Sequence, residues 1–185
     1  MKHRVFDPLR LDMAAFAGEQ GALQGEWPVS ELARLADGGL AEPVAAETVH
    51  WQAEGEVRGR SRGGEPDIWL HIAAQAAVWL QCQRCLKPVR EALAVQRSFR
   101  FVRTEVQAEA EDAQSEEDVL VLGRSLDLRG LVEDELILEL PLVPRHDVCP
   151  EPLPIPVSAP LQTETESAPN PFAQLEVLKR GRPSH

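Results

Sequence analysis

The sequence predicts an α+β fold, in which an antiparallel β-sheet of at least three strands is packed by one helix. Three segments between residues 44 and 101 alternate apolar and polar side chains with a period of two, which is typical of half-buried strands. A later segment, Leu128 to Leu140, follows the N-capping candidate Asp127 and ends before Pro141, which together indicate a helix.

The predicted strands follow one another along the chain. The first covers Val44 to Arg60, the second Ile68 to Leu80 and the third Val89 to Phe101. Residues 61–67 contain two glycines and a proline, so a turn is expected between the first two strands. The last two are close neighbours in sequence, and we expect them to form a hairpin. A further brief strand is predicted at 119–122.

Shorter elements are expected before the sheet. Residues 28–38 predict a short helix with Ser30 as its N-cap and a glycine at its end. Residues 1–27 mix apolar and polar side chains, and we expect a strand and a loop laid against the core.

The chain is predicted to divide into one domain and a tail. Residues 1–149 are expected to form a single α+β domain, within which the acidic segment 104–118 is predicted to be a solvated, mobile loop. Residues 150–185 are expected to form a proline-rich linker that ends in a short helix at Ala173 to Arg180.

The overall charge restricts the class of protein. A net charge of −11 argues against sequence-independent coating of nucleic acid, because such binding depends on neutralising phosphates with Lys and Arg. A negative net charge is still compatible with a local basic face on the surface. No apolar run approaches the roughly 20 residues that a membrane span needs, and the N-terminus lacks the apolar core of a secretory signal. With three cysteines, these features predict a cytoplasmic protein without a membrane partner.

The clearest motif is a C-x-x-C pair, Cys82 and Cys85, at the tip of the predicted hairpin, where a zinc knuckle would lie. His146 and Cys149 form an H-x-x-C pair that could complete a four-ligand zinc site. Three interpretations stay open: bound zinc, reduced cysteines that only pack, and redox chemistry. The redox interpretation is the weakest, because this motif does not open a helix after a strand.

A basic segment follows the first cysteine pair. The segment from Cys82 to Arg103 contains six cationic residues and one acidic residue, Glu91, so its local charge is 6 − 1 = +5. The cationic residues are candidates for contacts with RNA phosphates. Arg90 and Arg100 share one strand face while Arg97 and Arg103 have the opposite parity, so the six cannot all form one patch. The alternative is that they pair with the acidic segment and with other carboxylates. The candidates are Arg84, Lys87, Arg90, Arg97, Arg100 and Arg103.

No catalytic arrangement is evident in the sequence. There is no nucleophile–base pairing and no glycine-rich phosphate loop, and the consecutive Glu133, Asp134 and Glu135 on the predicted helix would point in different directions. The tryptophans on the strands are expected to pack rather than to stack on bases. We therefore expect a non-enzymatic protein without a small-molecule substrate.

Three stretches together resemble the bacterial large ribosomal RNA subunit accumulation protein family, YceD. They are C-Q-R-C-L-K-P at Cys82 to Pro88, the helical block with its L-P-L-V-P end at Asp127 to Pro144, and N-P-F-A-Q-L-E-V-L-K at Asn170 to Lys179. Some members carry a second cysteine pair after the helical block, and here His146 fills one of those two positions. The resemblance implies a cytosolic, non-enzymatic protein needed for normal accumulation of large-subunit (23S) ribosomal RNA.

The leading hypothesis is therefore a ribosome-biogenesis factor that binds precursor rRNA or a large-subunit ribosomal protein. The alternative is a zinc-binding or redox-responsive regulatory binding module unrelated to ribosomes.

Overall fold

One five-stranded sheet, in the order β1-β2-β3-β4-β5, dominates the computed structural model. The model describes residues 4–40, 47–59, 66–115 and 117–151, all of which belong to one compact unit. Neighbouring strands from β1 to β4 are antiparallel, whereas β5 runs parallel to β4. The strands are β1 Ala22–Pro28, β2 Thr48–Arg58, β3 Asp67–Gln81, β4 Pro88–Val102 and β5 Asp118–Val121. The predicted α+β class, the three alternating strands and the brief fourth one are confirmed.

The helices are short except for the last. They are α1 Met13–Gly18, α2 Ala33–Asp37, α3 Glu105–Asp112 and α4 Leu128–Leu138, with a 3₁₀ turn at Val29–Glu31. None of the helices in the described ranges is long and apolar enough to cross a bilayer.

The core lies between one face of the sheet and helix α4. The register pairs Ala74 with Val95 and Leu80 with Val89, so that apolar side chains of β3 and β4 share this face. Leu128, Val132 and Leu136 of α4 are fully buried against it. Burying an aliphatic side chain of this size contributes about 1.5–3 kcal/mol, so α4 is held to the sheet mainly by its apolar stripe.

Helix α4 begins as the sequence predicts. The Asp127 carboxylate accepts a hydrogen bond of 3.0 Å from the Gly130 N–H, which makes Asp127 the N-cap. Two carboxylates of the helix are buried, and both have partners. Glu133 accepts from the backbone N–H of Arg34 at 2.7 Å, and Glu135 accepts from Arg97 Nε at 3.0 Å. The acidic triplet therefore joins α4 to α2 and to β4.

The predicted acidic loop at 104–118 is wrong for most of its length. Glu105–Asp112 form helix α3, and Asp118 begins β5. Thr104 caps the helix by accepting from the Gln107 N–H at 3.2 Å, and the alanines and glutamates of the segment are good helix formers. The Arg100 guanidinium on β4 pairs with Glu111 and so attaches the helix to the sheet.

Two expectations for the N-terminal part also need correction. Residues 13–18 form helix α1, which crosses the sheet at Gly55, where a Cβ would lie 2.7 Å from the Phe16 ring. The predicted helix at 28–38 is divided into the 3₁₀ turn and α2. Leu32 rather than Ser30 precedes α2, and it makes no side-chain capping bond. The predicted turn at 61–67 falls largely outside the described residues, as do the predicted tail from 152 and its short helix.

The tryptophans pack as expected. Trp51 is buried and stacks on Trp27 with ring centroids 4.3 Å apart, and Trp69 is buried beneath the Arg58 guanidinium. Trp79 donates from Nε1 to Glu47 at 3.1 Å.

Candidate metal centre

The first two candidate ligands lie on the turn that joins β3 to β4. The Cys82 N–H donates to the Lys87 carbonyl at 3.0 Å, and the Leu86 N–H donates to the Cys82 carbonyl at 2.9 Å. These bonds close a tight turn with both Cys82 and Cys85 buried inside it. The predicted hairpin tip is confirmed.

The other two candidate ligands lie on the loop that follows α4. The Gln83 N–H donates to the Pro144 carbonyl at 2.9 Å, which fastens this loop to the hairpin tip. His146 is half-buried and Cys149 is buried. The chain thus returns to the hairpin tip after the β4–β5 and α4 segments, and the two halves of the predicted site meet.

The four side chains converge tightly enough for one ion. Their ligand atoms all lie within 4.8 Å of one another, with Cys82 Sγ 4.0 Å from Cys149 Sγ and Cys85 Sγ 3.4 Å from His146 Nδ1. A tetrahedral zinc with Zn–S of about 2.3 Å and Zn–N of about 2.0 Å places sulfurs about 3.8 Å apart and sulfur and nitrogen about 3.5 Å apart. The separations of 4.0 Å and 3.4 Å are close to those values. Because a disulfide needs sulfurs about 2 Å apart, the three cysteines are free thiols here.

The tautomer of His146 also suits a metal ligand. Its Nε2 lies 3.0 Å from the Pro88 carbonyl oxygen, which can only accept, so Nε2 carries the hydrogen. Nδ1 then presents its lone pair toward Cys85 Sγ. A backbone carbonyl that holds the far nitrogen of a ligating imidazole is a common outer partner in metal sites.

The electrostatics of the thiols differ across the cluster. Burial raises the pKa of Cys149, and the adjacent Cys85 and Cys82 sulfurs raise it further. Burial opposes ionisation of Cys82 as well, but the backbone N–H groups of Cys85, His146 and Arg84 outweigh it and lower the Cys82 pKa. Of these two thiols Cys82 is the better prepared to ionise, and a divalent cation would supply positive charge that favours thiolates at the site.

The predicted basic residues do not gather in one patch. Arg90 lies near the start of β4 and Arg100 near its end, which is roughly 33 Å apart on one strand. Arg97 projects from the opposite face toward α4. Arg84 is exposed beside the metal cluster. The alternative pairing with carboxylates is observed among them: Lys87 with Glu151, Arg90 with Glu47, Arg97 with Glu135, and Arg100 with Glu111 and Asp67.

Several residues of this region were not anticipated. The Pro88 carbonyl and the exposed Arg145 were missed, as were the apolar side chains beside the ligands. For Leu142 and Val143 the sequence held a signal, since residues 140–144, shortly before His146, interleave aliphatic residues with prolines. The apolar residues are Leu86, Leu142, Val143 and Val148.

A separate open groove of about 700 Å³ lies on the other face of the sheet. Glutamines and alanines make up much of its lining, and none of the four candidate ligands contributes to it. His50, which lines the groove, has its Nδ1 3.1 Å from the Glu26 carboxylate, and both side chains are exposed. The groove and the metal centre are distinct features.

Comparison with known proteins relates the chain to one family. Residues 70–179, more than half of the chain, match the family described as large ribosomal RNA subunit accumulation protein YceD. The large ribosomal RNA subunit accumulation protein YceD of Haemophilus influenzae (strain ATCC 51907 / DSM 11121 / KW20 / Rd) is 38% identical over 108 residues, which cover 57% of this chain and 62% of that relative. The match thus spans less than two thirds of the relative. No solved structure matches the chain.

Proposed function

Because this chain belongs to the YceD family of large ribosomal RNA subunit accumulation proteins, we propose that it supports the accumulation of large-subunit (23S) ribosomal RNA. It acts without catalysing a reaction, by binding precursor rRNA or a large-subunit ribosomal protein in the cytoplasm. The observation that carries the proposal is the family match, which includes β3, β4, α4 and all four candidate ligands.

The test is a deletion strain of the source organism. We expect the ratio of 23S to 16S rRNA to fall, and we expect the full-length chain supplied on a plasmid to restore it. An unchanged ratio in the deletion strain would contradict the proposed function.

A second part of the proposal concerns the metal. The cluster holds a structural zinc ion through Cys82, Cys85, His146 and Cys149, which would supply three thiolates and one imidazole. The separations between the ligand atoms and the His146 tautomer support this assignment. Such an ion would fix the hairpin tip to the loop after α4, since Cys82 and Cys149 are 67 residues apart in sequence.

Metal analysis of the purified full-length protein tests the zinc assignment. We expect about one equivalent of zinc in the wild type and its loss in Cys82→Ser and in Cys149→Ser. His50→Gln, which changes an exposed histidine far from the cluster, is the matched control and should keep its zinc. A folded wild-type protein that takes up no zinc would refute the assignment.

A further inference from the structure

Exposed apolar side chains surround the candidate metal centre. Leu86 is 56% exposed, Leu142 100%, Val143 59% and Val148 85%. All four belong to the two ligand-bearing loops, which the bond between Gln83 and Pro144 holds together. With the adjacent exposed arginines they make up what we call the tip surface, defined as Arg84, Leu86, Leu142, Val143, Arg145 and Val148.

Leu86 is unusual in conformation as well as in exposure. Its φ of 59° lies in the left-handed region, which costs a residue with a Cβ roughly 1–2 kcal/mol and costs glycine almost nothing. A side chain that is more than half exposed recovers only part of that cost through burial. The turn needs this backbone conformation, because the Leu86 N–H closes it onto Cys82. The exposed part of the Leu86 side chain is therefore available for contact with another molecule.

The charges of the tip favour a protein over RNA. Arg84 and Arg145 make no ion pair with any described residue, but Lys87 is paired with Glu151. Counting Arg84, Lys87 and Arg145 against Asp147 and Glu151 gives 3 − 2 = +1, which offers little to a run of phosphates. Unpaired bases stack on aromatic rings or on arginine planes, and the tip surface offers two arginines but no aromatic ring. An apolar centre with a polar rim, in which arginine is an enriched residue, is typical of a protein–protein interface.

We propose that the tip surface docks a protein that presents an apolar patch edged by carboxylates. The patch covers Leu86, Leu142, Val143 and Val148, and the carboxylates meet Arg84 and Arg145. The inference rests on the proposed function and narrows it: of the two partners named there, the one bound at the tip is a large-subunit ribosomal protein.

Leu86→Gly provides a sharp test, because glycine relieves the left-handed backbone while removing the side chain. The full-length chain is presented to two probes: proteins extracted from purified large ribosomal subunits, and protein-free 23S rRNA. We expect the wild type to bind one ribosomal protein, identified by mass spectrometry. We expect Leu86→Gly and Arg84→Glu to weaken that binding at least about tenfold (1.4 kcal/mol per tenfold). The zinc content should be unchanged, and the Tm of Leu86→Gly should be equal or higher.

Val106→Ala is the matched control, since Val106 is an exposed aliphatic residue on α3, outside the tip, and its loss should leave binding unchanged. Equal binding of the ribosomal protein by the wild type and by Leu86→Gly would overturn the proposal. A wild type that binds neither probe would also overturn it. So would a wild type that binds only the rRNA, in a way that depends on Leu86. A photo-reactive residue in place of Leu86 that crosslinks only to residues 152–185 of the same chain would also overturn it. Failure of the proposed function itself is read separately, from the rRNA ratio of the deletion strain.

Discussion

Among single residues, His146 makes the most specific contribution to the metal centre. Three of the four candidate ligands are cysteines, and the fourth position offers a nitrogen whose tautomer is set by the Pro88 carbonyl. That carbonyl could not be identified from the sequence, because nothing local relates Pro88 to a residue 58 positions away. The four candidate ligands could be proposed from the sequence, since the spacing within each pair is a local signal, and the structure brings them together.

We predict that a thiolate can replace the imidazole of His146. His146→Cys should keep close to one equivalent of zinc, because a four-cysteine site has the same tetrahedral geometry. His146→Ala should weaken zinc binding by at least about 100-fold, since loss of an outer partner alone costs 10–100-fold. Competition with a chromophoric chelator measures both. Equal affinities for the alanine variant and the wild type would show that His146 does not bind the metal.

A second residue-scale prediction concerns Glu133. Its burial would raise the pKa, but hydrogen bonds from the Arg34 side chain and from the N–H groups of Leu35 and Arg34 outweigh this, and the pKa is lowered from 4.5. A lowered pKa in the folded state adds stability above the unfolded value near 4.5, and that stability is lost as the pH falls through the folded pKa.

Glu133→Gln should therefore cost about 2 kcal/mol of unfolding free energy at pH 7, and the cost should shrink as the pH falls below about 4. Urea unfolding at several pH values measures this. Asp134→Asn, which changes a more exposed partner of Arg34, is the matched control with a smaller effect at pH 7. A penalty for Glu133→Gln that does not vary with pH would contradict the assignment of the charge.

For whole elements, the sequence is informative where the signal is local. The strands β2, β3 and β4 could be predicted because their alternation follows directly from one buried face. Helix α1 could not, since its six residues are stabilised by packing Phe16 against Gly55, which lies far along the chain. Helix α3 was mistaken for a loop because its acidic composition is typical of solvated segments.

The Arg100 side chain is one non-local contact of α3, beside the packing of Ala108 against Val102 and Val119. It is almost fully covered, and it pairs with Glu111 and lies 3.9 Å from Asp67. We predict that Arg100→Met leaves these carboxylates without their shared cation and increases amide hydrogen exchange throughout Glu105–Asp112. Arg90→Met, which removes the half-exposed partner of Glu47 near the other end of β4, is the control and should leave exchange in α3 unchanged. Unaltered protection of α3 in Arg100→Met would show that the helix is held by other contacts.

For the whole molecule, the hydrophobic core extends well beyond the candidate metal centre, although the three cysteines also belong to it. The core between the sheet and α4 is extensive and includes fully buried residues of β2, β3 and α4, such as Val49, Leu70 and Val132. A small zinc finger unfolds without its metal because it has no such core. Here the ion would link only the hairpin tip and the loop after α4, so the fold should survive its removal.

We therefore predict a local response to metal removal. Zinc at 100 times its Kd stabilises the folded state by about 2.7 kcal/mol, which for a domain of this size corresponds to a Tm change of roughly 5–10 °C. Dialysis against a chelator should lower the Tm of the wild type by that amount, and restored zinc should reverse the change. Cys82→Ser should not respond to either treatment. Hydrogen exchange of the zinc-free protein should rise at residues 82–88 and 141–151, while α4 and β2 keep their protection. Loss of protection in β2 along with the tip would show instead that the metal is required for the core itself.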